Sequence, residues 1–373
     1  MFTHLALATS LTLLSASAMA QRAEDQGITR LETLRLDGEN IGLGPEISFA
    51  GGLILQPDID GFGGWSAMEI ETTSTPDELR LLAISDRGFW LTATLALDPN
   101  QTRPHLTGIG DMSVENLSDY RDGSSPEGIT RDVDTNAYLV SFEAETDKGS
   151  REGMNRILSY RINEDWGNLS TVEGAPVLTF ADGINADSGI EALTISGDHL
   201  WAGVERPEGR LGLNRLIAVR DFNTNAAEQD FELQVELPYG YGFKAMASDG
   251  ADGLYILTTR FMGPRNCSNL YDATPNEPRC NMAQISHVDC RALENAENNG
   301  TVIVPNVLAH LHQGMYVDNF EALAVVQIEN RDHLFILSDN NRRPNRQLTI
   351  LLSFVLDPRP AVPDCPISGA LQD

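Results

Sequence analysis

The stretch NFEALAV, Asn319 to Val325, places a glutamate at the start of an otherwise small and apolar β-strand pattern. Two further stretches follow the same plan, SGIEALT at Ser188–Thr194 and SSPEGIT at Ser124–Thr130. A glutamate enters a buried strand rarely, because a carboxylate away from water needs a partner or a function. Three such glutamates in comparable settings indicate a repeated structural unit with one polar position near its start.

The repeat extends to five segments, each with a strand of small residues, a polar turn, an apolar strand and a charged end. Aligned on the polar position, the segments are separated by 61, 64, 53 and 77 residues. The aligned positions, called the anchors below, are Ser66, Glu127, Glu191, Lys244 and Glu321. A recurring antiparallel unit of this size is typical of the four-stranded blades of a β-propeller.

Further strand-like sequence completes the units. Third strands fit at Trp90–Asp98, Arg156–Ile162, Arg215–Phe222 and Leu348–Asp357. Ile28 to Pro57 contains additional strand-like sequence, which we expect to close the last blade and to form part of another. The sequence therefore predicts an all-β β-propeller with six blades, five being the alternative, closed by N- and C-terminal strands that leave no exposed sheet edge.

Small residues follow the anchors. We expect them to leave room at a narrow central channel, while the residue after each points the other way and packs between blades, because side chains alternate along a strand. The expected channel residues are Gly128, Ala192, Ala245 and Ala322, and the expected packing residues are Ile129, Leu193, Met246 and Leu323.

The first twenty residues form an apolar run that ends in Ala18-Met19-Ala20, which is typical of a cleavable secretory signal. An uncleaved anchor is the alternative, since no Lys or Arg precedes the apolar core. We predict a signal peptide at 1–20 and a single propeller domain at 21–373, located in the periplasm or secreted. No other long apolar run occurs, so we expect no membrane span after cleavage.

The chain carries a formal net charge of −28, and the first twenty residues contain no Asp, Glu, Lys or Arg. This acidity argues against nucleic acid and anionic membrane surfaces as partners. It is compatible with divalent cations, or simply with a solvated surface. We expect a monomer that binds a small anionic substrate.

Four cysteines remain in the exported chain, which predicts two disulfides with three alternative pairings. The self-closing loop CSNLYDATPNEPRC favours Cys267–Cys280, which leaves Cys290–Cys365. A zinc site is the weaker interpretation, because no C-x-x-C spacing is present.

The charged positions converge on one face. In an antiparallel hairpin, the start of the first strand and the end of the second lie together. The anchors therefore share a channel mouth with the charged second-strand ends, which are Asp86, Arg87, Glu143, Glu205, Arg206, Arg260, Asp339 and Asn340, with Arg342 and Arg343 close behind. GWSAM around Ser66 lacks the second glycine of a nucleophile elbow, so we do not expect a serine hydrolase.

This mouth predicts metal-assisted hydrolysis of an anion. Carboxylates suit Ca²⁺, with Glu127, Glu191, Glu205 and Glu321 as the expected ligands. The expected catalytic carboxylates, which would include a base that activates water, are Glu127, Glu191, Glu321, Asp86 and Asp339. The expected anion-binding residues are Arg87, Arg206, Lys244, Arg260 and Arg342. The alternative is that these charges only pair across blades and brace the channel.

Several of these stretches together resemble a known family. SAMEIE…LLAISDRG, SPEGIT, GIEALTIS…LWAGVERP and FEALAV…LFILSDNN…LTILLSFVL resemble the bacterial "esterase-like activity of phytase" domain, from about Phe62 to Leu356. The resemblance implies an exported propeller that hydrolyses a phosphoester or another anionic ester, and it assigns no catalytic residue by position. A calcium-dependent lactonase or carboxyl esterase is one alternative, and a non-catalytic propeller that binds a ligand or protein is another.

Overall fold

The computed structural model describes residues 27–34, 43–98, 104–117, 124–143, 155–163, 166, 168–180, 189–206, 213–224, 228–262, 280–312, 315–343 and 347–356. The predicted signal peptide at 1–20, Cys267 and Cys365 lie outside these residues, and the side chain of Cys280 is not described. The predicted disulfide pairing therefore stays a prediction.

The first three blades follow one another along the chain as antiparallel meanders. Blade 1 contains β3 (Trp65–Thr72), β4 (Glu78–Ser85), β5 (Phe89–Asp98) and β6 (His105–Asn116). Blade 2 contains β7 (Pro126–Asp132), β8 (Ala137–Phe142), β9 (Asn155–Ile162), β10 (Leu169–Thr171) and β11 (Leu178–Phe180), of which the last two both pair with β9. Blade 3 contains β12 (Ile190–Ser196), β13 (His199–Val204), β14 (Leu213–Arg220) and β15 (Glu228–Glu236).

The last two blades complete the fold. Blade 4 contains β16 (Gly242–Ser248), β17 (Leu254–Met262), β18 (Cys280–Val288) and β19 (Asn306–Leu311). Blade 5 contains β20 (Asn319–Ile328), β21 (Arg331–Asp339) and β22 (Thr349–Leu356), followed in space by the N-terminal strands β2 (Ile47–Leu55) and β1 (Ile28–Leu31). Helix α1 (Cys290–Asn299) joins β18 to β19, with its N-cap at Asp289 and a left-handed Gly300 at its end.

Five blades close the ring, so the predicted all-β propeller is confirmed and the prediction of six blades is wrong. The innermost strands contact one another in the cyclic order β3, β7, β12, β16, β20 and back to β3. Both N-terminal strands add to blade 5, where β2 pairs with β22, and no part of them begins a further blade. The closure of the ring by the two ends of the chain is as expected.

Five apolar clusters fill the spaces between adjacent blades. Leu53 and Leu337 of blade 5, for example, share a cluster with Leu81 of blade 1. The expected packing residues Leu193 and Leu323 lie in such clusters. The Ala192 and Ala322 side chains, expected at the channel, are buried in the cluster on the opposite side of their own strands.

Successive residues of an inner strand thus pack against the two neighbouring blades. The expectation that Ala192 and Ala322 line the channel is therefore wrong, because both pack between blades. The innermost strands of neighbouring blades approach closely, and small residues fit there: a Cβ added to Gly128 of blade 2 would meet the Leu193 Cβ of blade 3 at 2.9 Å.

No helix within the described part of the chain is long and apolar enough to cross a membrane.

His333 is a buried histidine on β21, and neither of its ring nitrogens has a hydrogen-bond partner in the described structure. Burial, together with the charge of Arg331, lowers the pKa of His333 to about 4. The unfolded chain therefore binds more protons than the native protein between about pH 4 and the usual histidine value near 6.5, so native stability falls as pH falls through this window.

We expect His333→Leu to lose less stability than the wild type when pH falls from 7.5 to 4.5, by up to about 3 kcal/mol in the free energy of unfolding. Urea unfolding at both pH values measures the difference. His310→Leu changes an exposed histidine and serves as the matched control. Equal acid sensitivity of the wild type and His333→Leu would show that this histidine does not limit stability.

Candidate functional site

The same irregularity occurs near the start of all five innermost strands. The register of the first hairpin shifts between Trp65 and Ala67 in blade 1 and between Phe320 and Ala322 in blade 5, and at the equivalent place in the other three blades. The residues at these β-bulges are the five anchors Ser66, Glu127, Glu191, Lys244 and Glu321. A bulge leaves one residue outside the ladder and re-aims its side chain. The repeat therefore presents five side chains at one level of the propeller.

Lys244 is the cation around which the anchor carboxylates gather. Its Nζ lies 3.0 Å from Glu191 Oε2, 2.9 Å from Glu205 Oε1 and 3.5 Å from Glu321 Oε1. Although burial by itself would lower the pKa of Lys244, the carboxylates of Glu191, Glu321 and Glu205 hold it well above its usual value. Lys244 is therefore charged at neutral pH, and its ion pairs join blades 3, 4 and 5.

A second group of carboxylates lies beside this lysine and includes Glu191, so Lys244 neutralises the group only in part. Carboxylate oxygens of Glu127, Glu143 and Glu191 all lie within 4.8 Å of one another. Glu143 accepts a hydrogen bond from the Gly189 N–H at 3.1 Å. Glu127 is only 8% exposed, and it has no hydrogen bond or ion pair with any described residue.

Like charges in a buried site change the acidity of these groups. Burial raises the pKa of Glu127 well above its usual value, and the charges of Glu191 and Glu143 raise it further. Burial also raises the pKa of Glu191 well above its usual value, which the Lys244 ammonium only partly offsets. Without another cation, the cluster therefore retains protons to a higher pH than isolated glutamates do.

The oxygen donors fit a hard divalent cation. Ca²⁺ binds carboxylate oxygens at about 2.3–2.6 Å, so two ligands of one ion can lie up to about 5 Å apart. The separations between Glu127, Glu143 and Glu191 fall inside that limit. Of the four ligands expected from the sequence, Glu127 and Glu191 belong to this group. Glu205 and Glu321 lie outside it and contact Lys244, which also contacts Glu191.

Blades 1 and 5 contribute another acidic group next to Glu321. The Glu321 carboxylate accepts a hydrogen bond from the Asn319 amide at 2.7 Å, and burial raises the pKa of Glu321. Burial raises the pKa of Asp339 to about 8, with the Glu321 charge adding to the shift, although the Asn341 N–H donates to the Asp339 carboxylate at 2.7 Å. Burial also raises the pKa of Asp86. Asp339 therefore holds a proton at neutral pH.

Ser66 occupies the fifth anchor position, between Glu321 and Glu127 in the order of the ring. It is buried, and its hydroxyl has no hydrogen-bond partner in the described structure. The ring thus combines three carboxylates, one ammonium and one hydroxyl.

The arginines expected to bind an anion lie outside the carboxylates. Arg87 and Arg206 are largely exposed, and each pairs at 3.3 Å with the acidic residue before it, Asp86 and Glu205. Arg342 lies over the Phe89 ring at 4.7 Å, and Arg260 lies over the exposed Tyr239 ring at 5.7 Å. These four arginines form a basic rim, while Lys244 is inside the ring.

Strand register explains two differences from the expected site. Glu143 directly follows Phe142, which pairs with the residue before Glu127, so the register places Glu143 beside that anchor. In blade 4 the equivalent position is Thr259, because Thr258 pairs with Phe243, and Arg260 is one residue further along. Glu143 was recognisable as a second-strand end, but its closeness to Glu127 and Glu191 depends on the bulge, which no local sequence signal marks.

We expect Lys244→Met to destabilise the protein by about 3 kcal/mol or more at pH 8, because three buried carboxylates lose their shared cation. The loss should shrink at pH 5, where Glu191 and Glu321, with their raised pKa values, take up protons in the native state. Urea unfolding at both pH values measures this. Arg206→Met is the matched control, since an exposed ion pair contributes about 1 kcal/mol or less. A loss independent of pH would contradict this account of the ring.

Comparisons with known proteins identify the family of the chain. No curated protein matches it. Among solved structures, it is similar to the major allergen Mala s 1 of Malassezia sympodialis, with 13% identity, 82% of this chain and 87% of that chain covered, and a TM-score of 0.34. Residues 60–342 match the family described as "Phytase-like: Esterase-like activity of phytase", which confirms the resemblance seen in the sequence. The chain therefore belongs to the Phytase-like family.

Proposed function

We propose that the protein is a hydrolase that cleaves a phosphoester or another anionic ester at the channel mouth, assisted by a divalent cation such as Ca²⁺. The observation that carries the proposal is the buried group Glu127, Glu143 and Glu191, in which Glu127 has no partner among the described residues. Three carboxylates in such a position destabilise the native protein unless protons or a cation neutralise them. Membership of the Phytase-like family supports the reaction class.

Glu127, Glu143 and Glu191 would hold the cation, because they supply the hard oxygen donors that Ca²⁺ prefers. When bound, Ca²⁺ would supply Lewis-acid polarisation of a substrate oxygen and would lower the pKa of water. Lys244 keeps the neighbouring Glu205 and Glu321 carboxylates fixed on the other side of the ring.

Two groups are suited to proton transfer. Glu321, oriented by Asn319 and Lys244, is the proposed general base. Asp339, whose pKa of about 8 keeps it protonated at neutral pH, is the proposed general acid. Water adds to the phosphorus or acyl carbon while Glu321 takes its proton. The bond to the leaving oxygen breaks, and that oxygen takes the proton from Asp339.

The basic rim supports an anionic substrate. Arg87, Arg206, Arg260 and Arg342 are placed to attract an anion toward an otherwise acidic mouth, and Asp86 lies between this rim and Asp339. A carboxyl ester or lactone is the second substrate class, favoured by the esterase-like description of the family. The apolar run at 1–20 supports export to the periplasm or the exterior, where two disulfides would form.

The cation is tested with paired measurements of stability and turnover. We expect Ca²⁺ to raise the Tm of the wild type and to raise turnover of p-nitrophenyl phosphate, phytate or p-nitrophenyl acetate, and we expect a chelator to reverse both effects. Glu127→Gln should abolish both responses, whereas Glu297→Gln, at an exposed position on α1, should leave them intact. Apparent Ca²⁺ affinity should rise from pH 5 to pH 8, because Glu127 and Glu191 have raised pKa values and must lose protons to bind.

Two results together would contradict the metal-assisted hydrolase: no turnover of any of the three substrates, and a Tm that Ca²⁺ does not change. They would favour a non-catalytic binding propeller.

The general acid is tested with Asp339→Asn. We expect this change to lower kcat by about 10²–10⁴-fold and to remove the alkaline limb that deprotonation of Asp339 produces near pH 8. The variant should be more stable than the wild type at pH 8. The wild type loses stability as pH rises from the pKa of Asp339 in the unfolded chain to its raised pKa in the native protein, and the neutral asparagine avoids this loss. Loss of activity can then be separated from misfolding. An unchanged kcat with an unchanged alkaline limb would exclude Asp339 as the acid.

A further inference from the structure

A cavity of about 340 Å³ lies beside the channel mouth, at the junction of blades 5 and 1. We propose that it is a specificity pocket for the apolar group of an amphiphilic monoester, whose single anionic group is bound by Arg342 at the edge. This inference rests on the proposed hydrolase function and narrows its substrate class. A uniformly charged polyphosphate would not use such a pocket.

The cavity is built at the mouth end of the closing strands. Leu55 ends β2 and pairs with Thr349, which begins β22. Leu55, Pro57, Ile59, Phe62 and Leu348 form its apolar lining, and its polar lining residues are Gln56, Asp58, Asn340, Arg342, Gln347 and Thr349. The Phe62 ring is fixed by an edge contact with Trp65 at 5.3 Å between centroids. The volume lies at the lower end of the range typical of small-molecule sites, so it suits one ring or a short alkyl chain.

Arg342 supplies the charge at this cavity. Its guanidinium donates to the Gly61 carbonyl at 3.3 Å and stacks over Phe89, and it makes no ion pair with a described residue. Most of its N–H donors are therefore available, within the described structure, to a carboxylate or phosphate. The stacking contact fixes the plane of the guanidinium.

The turn that carries Arg342 is backbone-strained. Asn341 and Arg342 have φ values of 48° and 49°, which residues other than glycine rarely adopt. Two side-chain acceptors hold the turn, because the Asp339 carboxylate binds the Asn341 N–H and the Asn340 carbonyl oxygen binds the Arg342 N–H at 2.9 Å. The same turn thus positions the proposed general acid and the guanidinium at the cavity.

A polar group in the wall lacks a partner. Thr349 is 1% exposed, and its hydroxyl has no hydrogen-bond partner in the described structure. A buried hydroxyl without a partner costs stability, on the order of 1–3 kcal/mol. Because this oxygen is shielded from solvent, the hydroxyl belongs to the structure of the wall and is not offered as a ligand contact.

Two glycines bring the cavity close to the acidic ring. A Cβ on Gly63 would lie 2.4 Å from Asn340 Oδ1, and a Cβ on Gly64 would lie 2.4 Å from Asp86 Oδ1. The loop before β3 therefore packs directly against both groups, with no side chain between them. An anion at Arg342 would then lie at the boundary between the apolar cavity and the Asp86 and Asp339 carboxyls.

The pocket is tested by calorimetric binding of non-hydrolysable probes to the intact protein, without added metal. Benzylphosphonate and phenylacetate carry one ring and one anionic group, and methylphosphonate and acetate are their matched partners without the ring. We expect at least one benzyl probe to bind about tenfold tighter than its partner, or more, because the ring leaves water. Which of the two binds identifies the phosphonate or the carboxylate as the preferred anion.

Variants separate the pocket from the rest of the mouth. Arg342→Gln should weaken the benzyl probe about tenfold or more through loss of the charge-assisted hydrogen bonds. Ile59→Trp should fill the cavity and remove the preference for the ring. A Tm of this variant equal to that of the wild type would show that its fold is intact. Arg291→Gln, at an exposed position on α1, should bind as the wild type does.

Two results would overturn the pocket: no preference for the ring with either anion, or a preference that survives Ile59→Trp. These results differ from failure of the hydrolase proposal. If the protein binds benzyl probes in an Arg342-dependent manner but turns over no ester, the pocket stands and the hydrolase does not. If it hydrolyses phenyl and methyl esters equally well, the hydrolase stands and the pocket does not.

Discussion

The structure depends on a buried ring of like charges that contains one lysine. Lys244 neutralises the charge of Glu191, Glu205 and Glu321 only in part, and Glu127 has no ion pair with a described residue. Such an arrangement is costly in an apolar fold and is retained most readily where the charge is used. Raised carboxyl pKa values around the ring follow directly from this cost. The proposed binding of a cation and the storage of protons would be two responses to the same constraint.

The fold creates this constraint by repeating one irregularity. A bulge at the same point of each inner strand brings one side chain per blade to a common level, and the apolar clusters between blades hold the sheets rigid around it. The N-terminal strands complete blade 5, so strands from the two ends of the chain pair within one sheet. The cavity near Arg342 lies at that closing junction, where the chain ends meet and the repeat is broken. Regular blades build the charged centre, and the irregular closure provides the asymmetric pocket.

Much of this could be predicted from the sequence, because the repeat in NFEALAV, SGIEALT and SSPEGIT reports the inner strands and their polar anchors. The number of blades could not be predicted, because the strand-like sequence at 28–57 does not reveal which strand it pairs with. In the structure, β1 and β2 both belong to blade 5. The convergence of Glu127, Glu191, Lys244 and Glu321 followed from antiparallel geometry. Which side chains lie together could not be predicted. The register at the bulges places Glu143 beside Glu127, and in blade 4 it places Thr259, not Arg260, at the equivalent position.

We propose that the carboxylates of blades 2 and 3 form a cation site and do more than brace the channel. Anomalous diffraction from crystals equilibrated with Ca²⁺, or with Sr²⁺ as a heavier substitute, would locate the ion. We expect one ordered peak bounded by Glu127, Glu143 and Glu191, with Lys244 still bound to Glu205 and Glu321. No anomalous density at this cluster at saturating cation, with Glu127 in an ion pair inside the protein, would show that the carboxylates only brace the channel.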